Sequence, residues 1–139
     1  MWALNINEET KLLVLKISDT LTLDELSEFL KEIYDKNDGK FAVFNRFVNL
    51  SALKEIKIDL ETVSSRVHEY RRQIKPDSSV KISLFVPQRY IVGFSYLYKS
   101  MLSDALFKLE IFDSLNQCAE YLSVDQDLLE DAVMQGVRT

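Results

Sequence analysis

The chain has 139 residues, 47% of them apolar and 28% charged, enough for one domain with a respectable core and too apolar for a disordered protein. Its formal net charge of −5 excludes general attraction to nucleic acid or to an anionic membrane surface. A single cysteine, Cys118, excludes an internal disulfide and any multi-cysteine metal site.

Trp2, Leu4 and Ile6 alternate with Ala3, Asn5 and Asn7, the period of a half-buried strand. The polar group Asn7-Glu8-Glu9-Thr10 makes a turn, and Lys11 to Ser18 is a second strand, so the two predict a hairpin. Thr22 and Glu25 have capping-box spacing, with Leu21 and Leu26 placed as a hydrophobic staple. From there Leu23, Leu26, Leu30 and Ile33 recur at helical spacing up to Asn37-Asp38-Gly39, where Gly39 suits a left-handed C-terminal cap. The run from Phe41 to Leu50 is mostly apolar without alternation, as in a strand covered on both faces.

Asp59 is placed as the N-cap of a second helix that buries Leu60, Val63, Val67, Tyr70 and Ile74 and ends at Pro76. Val80 to Val86 alternates as a strand, and Pro87 opens a third helix at its N-terminal turn. Phe107 to Phe112 is the fifth strand, with Lys108 and Glu110 between apolar neighbours. A helix follows from Asp113 or Ser114, where Gln117 completes a second capping box, and Asp125 to Gln135 is a last helix. After the hairpin each strand is followed by a helix. Right-handed crossovers then give an α/β fold with a mixed, mainly parallel sheet of about five strands and four to five helices. With few glycines and prolines to mark a linker, residues 1–139 read as one domain. The opening residues carry no basic region ahead of an apolar run, and no stretch nears membrane-spanning length, so the expected location is the cytoplasm.

Three short phrases resemble a known family. Asn45 to Ser51, with its closing Asn49-Leu50-Ser51, is similar to the strand that ends in an Asp-Leu-Ser-like phrase in STAS-type proteins, and in particular the SpoIIAA-like group of small bacterial proteins. Val92-Gly93-Phe94 with Tyr98 falls on that group's helix after the fourth strand, and Ile111-Phe112-Asp113 through Ala119, Tyr121 and Leu122 resembles its closing pattern. The resemblance implies a STAS-like fold and a regulatory, non-enzymatic role. It also exposes a departure. The family's antagonists carry an Asp-Ser-Ser-Gly-like turn whose serine is phosphorylated, and the corresponding stretch here is Lys57-Ile58-Asp59-Leu60, with no hydroxyl at the switch position. Asp59 is either a plain N-cap or a fixed negative charge at a helix N-terminus.

Chemistry-bearing residues are sparse. His68 is the only histidine, and Cys118 falls on the apolar stripe of its helix, so neither has a partner by spacing. No glycine-rich loop follows a strand, and no cofactor or metal is expected. Arg66, Arg71, Arg72 and Lys75 form a basic run, read as a solvated helix face or a docking patch for an acidic partner. Asn45 and Arg46 interrupt an apolar strand, where Arg46 needs either a carboxylate or a cleft in which it holds an anionic or polar group. The segment Tyr90 to Leu102 is apolar nearly all round and includes Tyr90, Phe94, Leu97, Tyr98 and Met101. Gly93 within it suggests close approach of a neighbour. Three covers are open to this helix: the C-terminal helix, a second subunit or protein partner, or a ligand. The leading expectation is a non-enzymatic interaction module, a homodimer through this helix. The alternative is a carrier or sensor of a small lipophilic ligand, since the strand–helix order is also similar to that of Sec14-type lipid carriers; it predicts a cavity of several hundred cubic ångströms beside Phe94 and Tyr98.

Overall fold

A computed structural model describes residues 1–72, 74, 78–103 and 107–138, with the side chains of all of these but 37, 90 and 134–138. The predicted hairpin forms from β1 (Trp2–Asn7) and β2 (Leu12–Ile17), paired antiparallel from Trp2↔Ile17 to Asn7↔Leu12. Asn7 Oδ1 accepts from the Thr10 amide at 3.0 Å, which closes the turn. β3 (Asp19–Leu21) leads into α1 (Leu23–Tyr34), where the Thr22 hydroxyl accepts from the Glu25 amide at 3.3 Å. Only that half of the capping box forms, because the Glu25 carboxylate pairs instead with the Met1 ammonium group at 2.6 Å.

Leu21 and Leu26 are buried as a staple requires, but Leu23, at the first helical position, faces solvent. The helix also stops earlier than its apolar spacing predicts, at a right-handed Asp35 cap. Gly39 is left-handed, with φ of +71°, yet it lies within a 3₁₀ segment (Lys36–Val43), and a Cβ there would meet the Tyr34 carbonyl oxygen at 3.3 Å. That segment takes Phe41 and Ala42 into the core as a turn, so β4 is shorter than the apolar run and spans Asn45–Asn49.

β5 (Leu53–Ile56) pairs parallel with β3 in a separate two-stranded sheet that the sequence reading lacked. α2 (Leu60–Arg71) follows, capped by Asp59, then β6 (Val80–Phe85) and α3 (Arg89–Leu102). Gln88 is the N-cap of α3, so Pro87 precedes the helix rather than sitting in its first turn. β7 (Phe107–Phe112), α4 (Leu115–Leu122) and α5 (Gln126–Arg138) complete the chain, with Ser114 accepting from the Gln117 amide at the start of α4.

The large sheet has the order β1-β2-β4-β6-β7, antiparallel at the hairpin and parallel elsewhere, as the alternation predicts. Crossovers place helices on both faces. α1, α2 and α3 cover the larger core, which includes Leu13, Leu15, Val48, Ile82, Leu84 and Phe107. α4 and α5 cover the other face through Cys118, Ala119, Leu122 and Leu129, against Leu12, Val14 and Phe47. Strand alternation therefore aims Val48 and Phe47 at opposite layers, and Arg46 shares the side of Val48.

Candidate functional site

α3 presents two apolar faces. Ile91, Ser95 and Leu102 are buried, and Phe94 and Tyr98 pack inward with their rings stacked at 6.4 Å. Round the rest of the helix Gly93, Tyr96, Leu97, Ser100 and Met101 are exposed, an i, i+3, i+4, i+7, i+8 stripe with Tyr96 56%, Leu97 58% and, at the edge next to Phe94, Met101 40% accessible. The C-terminal helix does not cover it, since α5 lies across the sheet. Gly93 is not a close-approach position within the chain, because a Cβ there would meet nothing within 4 Å. The predicted contact set thus divides: Leu97 and Met101 point outward, Phe94 and Tyr98 point inward, and the side chain of Tyr90 lies outside the described residues. Tyr96, which belongs to the outer stripe, is not in that set, although its spacing from Gly93 and Ser100 marks it.

Beneath the inner face is an apolar cavity of about 100 Å³, bounded by β2, β4, β6 and β7 of the sheet and by α1, α2 and α3. Leu21, Leu53 and Ile56 of the small sheet close one side, which is how the two short strands help to shape it. Among its lining residues Arg46, Tyr34, Tyr98 and Ser95 carry polar side-chain atoms.

Arg46 is 6% exposed, and among the described residues it has no carboxylate partner. Its Nη2 donates to the Ala42 carbonyl at 2.8 Å and to the Tyr34 hydroxyl at 3.2 Å. Its guanidinium carbon lies 5.4 Å from the Tyr34 ring centroid and 5.2 Å from that of Phe107, so two aromatic faces share the charge. A carbonyl, a phenol and two rings stand where a carboxylate was one expectation, and the residue borders the cavity. Burial holds the Tyr98 phenol well above the usual tyrosine pKa, the nearby Tyr34 phenol adding to the rise and the Arg46 charge opposing it. Tyr98 therefore stays a neutral hydroxyl, and that hydroxyl makes no hydrogen bond among the described residues.

Asn45, the other oddity of β4, has a structural use: its Oδ1 accepts from the Lys81 amide at 2.9 Å, at the start of β6. Asp59 caps α2, its Oδ1 accepting from the Thr62 amide at 2.8 Å and from the Thr62 hydroxyl at 2.9 Å. Those bonds hold its carboxyl below the usual aspartate pKa, the amide first. The basic run does not form one patch. Arg66 and Arg72 are exposed, but Arg71 turns inward, donating to the Leu102 carbonyl at 3.0 Å with its guanidinium carbon 4.9 Å from the Phe107 ring centroid. Lys75 and Pro76 lie outside the described residues. His68, on α2, and Cys118, on α4, are on opposite sides of the sheet. Burial raises the pKa of the Cys118 thiol, with a smaller opposing effect from Ser83. Among the described residues no three His, Cys, Asp or Glu side chains converge as metal ligands, and no helix is long and apolar enough to cross a membrane.

The element order, the mainly parallel five-stranded sheet and the helices on both faces define a SpoIIAA-like fold. A crystal structure described as an uncharacterised DUF3478-family protein with a SpoIIAA-like fold, from Shewanella loihica PV-4, superposes with a TM-score of 0.60 at 8% identity, over 87% of this chain and 93% of that one. No family model matches the sequence, and no curated protein does. The likeness is one of fold.

Proposed function

We propose that the protein is a non-enzymatic, cytoplasmic interaction module that self-associates through the outer stripe of α3. One observation carries this reading: Tyr96, Leu97 and Met101 stand side by side in solvent around Gly93 and Ser100, uncovered by any other element of the described chain. Contiguous exposed apolar side chains on a small protein mark contact surfaces, and tyrosine suits such a surface because its hydroxyl tolerates the rim. A glycine at the N-terminal end of the stripe lets a second helix cross closely there, so a homodimer is the favoured assembly. The absence of a serine at the switch position, where Asp59 caps α2, supports regulation by contact alone. The separation of His68 from Cys118 supports a role without catalysis.

Light scattering tests the assembly. The unaltered protein is expected at twice the chain mass, and Leu97→Glu at the single-chain mass with an unchanged circular dichroism spectrum. A strict monomer at high concentration would overturn the dimer.

The cavity favours a second reading, a carrier or sensor of a small ligand. At about 100 Å³ it is below the several hundred cubic ångströms typical of drug-sized ligand sites, so it suits a small molecule rather than a long acyl chain. Native mass spectrometry of the freshly purified protein checks this reading by its co-purified mass.

A further inference from the structure

The small-ligand reading can be taken further from the chemistry of the cavity wall. A buried guanidinium without a carboxylate partner is expensive, by several kcal/mol in general, and an anion that reached it would offset that cost. Here both hydrogen bonds leave from one nitrogen, Nη2. The Nε and Nη1 donors make no hydrogen bond among the described residues. Tyr98 lines the same cavity, and its hydroxyl is also without a hydrogen-bond partner among those residues. The remaining wall is hydrocarbon, supplied by side chains such as Leu30, Val63 and Ile82.

We propose that this cavity is a binding site for a small aliphatic monocarboxylate, its carboxylate on one free guanidinium N–H of Arg46 and on the Tyr98 hydroxyl, and its alkyl end among the aliphatic side chains. The inference rests on the small-ligand reading and names its ligand class. Charge selects an anion, and a carboxylate can take one guanidinium N–H on one oxygen and the Tyr98 hydroxyl on the other. The single buried cation on the cavity wall selects one negative charge rather than two. Size sets the alkyl part. An engineered cavity of about 150 Å³ holds benzene, so about 100 Å³ takes roughly four apolar carbons. Isovalerate is therefore a fitting probe. Diacids and long-chain fatty acids are excluded, the first by the second charge and the second by volume.

The test is a titration followed by amide chemical shifts and by melting temperature, with isovalerate against its neutral isosteres isovaleramide and 3-methylbutan-1-ol. Isovalerate is expected to shift amides of α3 and β4 and to bind at least about tenfold more tightly than either isostere, the scale of one desolvated charge-assisted pair. Arg46→Met should abolish that preference. Tyr98→Phe, which removes only a hydroxyl, should weaken isovalerate severalfold and leave the isosteres unchanged, and it serves if the Arg46 variant fails to fold. Equal binding of all three probes would overturn the carboxylate assignment while leaving a small-ligand site. No shift with any of them at tens of millimolar would overturn both.

Discussion

Replacing Arg46 by methionine tests whether this arginine is a strut of the fold or a group held for something else. The two Nη2 hydrogen bonds, at 2.8 and 3.2 Å, are charge-assisted and worth about 1.5–3 kcal/mol each. The rings of Tyr34 and Phe107 add about 0.5–2 kcal/mol each. Against these stand the desolvation of a buried guanidinium, several kcal/mol, and the roughly 1.5–3 kcal/mol that a methionine side chain contributes when buried. The groups left behind are neutral. Tyr34 and Ala42 also border an open surface depression beside Asp35 and Lys40, so water can replace the lost donor. The terms nearly cancel, and Arg46→Met is expected to lie within about 2 kcal/mol of the unaltered protein, a melting shift below about 8 °C for a domain of this size. Urea and thermal unfolding by circular dichroism measure it. A loss above about 4 kcal/mol, as when one partner of a buried ion pair is removed, would show that Arg46 is a structural strut and refute this reasoning.

Three other outcomes follow from the geometry. Gly93→Ala, made in a monomeric Leu97→Glu background, should raise stability by about 0.5–1 kcal/mol, since the added methyl meets nothing within 4 Å; a melting temperature that falls would contradict the open surface there. Leu129→Ala should cost about 2–5 kcal/mol, because Leu129 is fully buried against the β2 and β4 side chains, and a neutral effect in urea unfolding would mean α5 does not anchor the domain. Asp59 has its carboxyl pKa lowered below 3.8 by the Thr62 bonds, so the cap stabilises above pH 4 and is lost as pH falls through the folded value. Asp59→Asn should flatten that acid dependence while keeping the cap, which a pH series of thermal melts reads directly.

Periodicity made the hairpin, the later strands and all five helices legible, because each runs for at least five residues, long enough to show its period. It failed where the element is short or the apolar run is continuous. β3 and β5, at three and four residues, are too brief to alternate, and their pairing joins segments that have no sequence signal in common. Phe41 to Phe44 is equally apolar as a strand or as a turn packed into the core, and only the left-handed Asp38 and Gly39 ahead of it decide for the turn. Arg46 was legible as an anomaly. Its surroundings were not, since Tyr34, Tyr98 and Phe107 reach it through crossovers that bring α1, α3 and β7 to β4.

The two proposals meet on one 14-residue helix, and their separability is itself a prediction. Tyr98 faces the cavity, while Leu97 stands in solvent on the flank of the same rod. Helical geometry puts residues one apart about 100° around the axis, so Leu97 and Tyr98 share a turn without sharing an environment. Side chains of one helix that enter different environments can be altered one at a time. Leu97→Glu should therefore halve the mass and leave isovalerate affinity unchanged, and Tyr98→Phe should weaken isovalerate and leave the mass unchanged. The double variant, titrated by chemical shift and weighed by light scattering, should show the sum. If isovalerate instead changes the dimer's dissociation constant, the two faces of α3 are coupled, and the helix must move as the cavity fills.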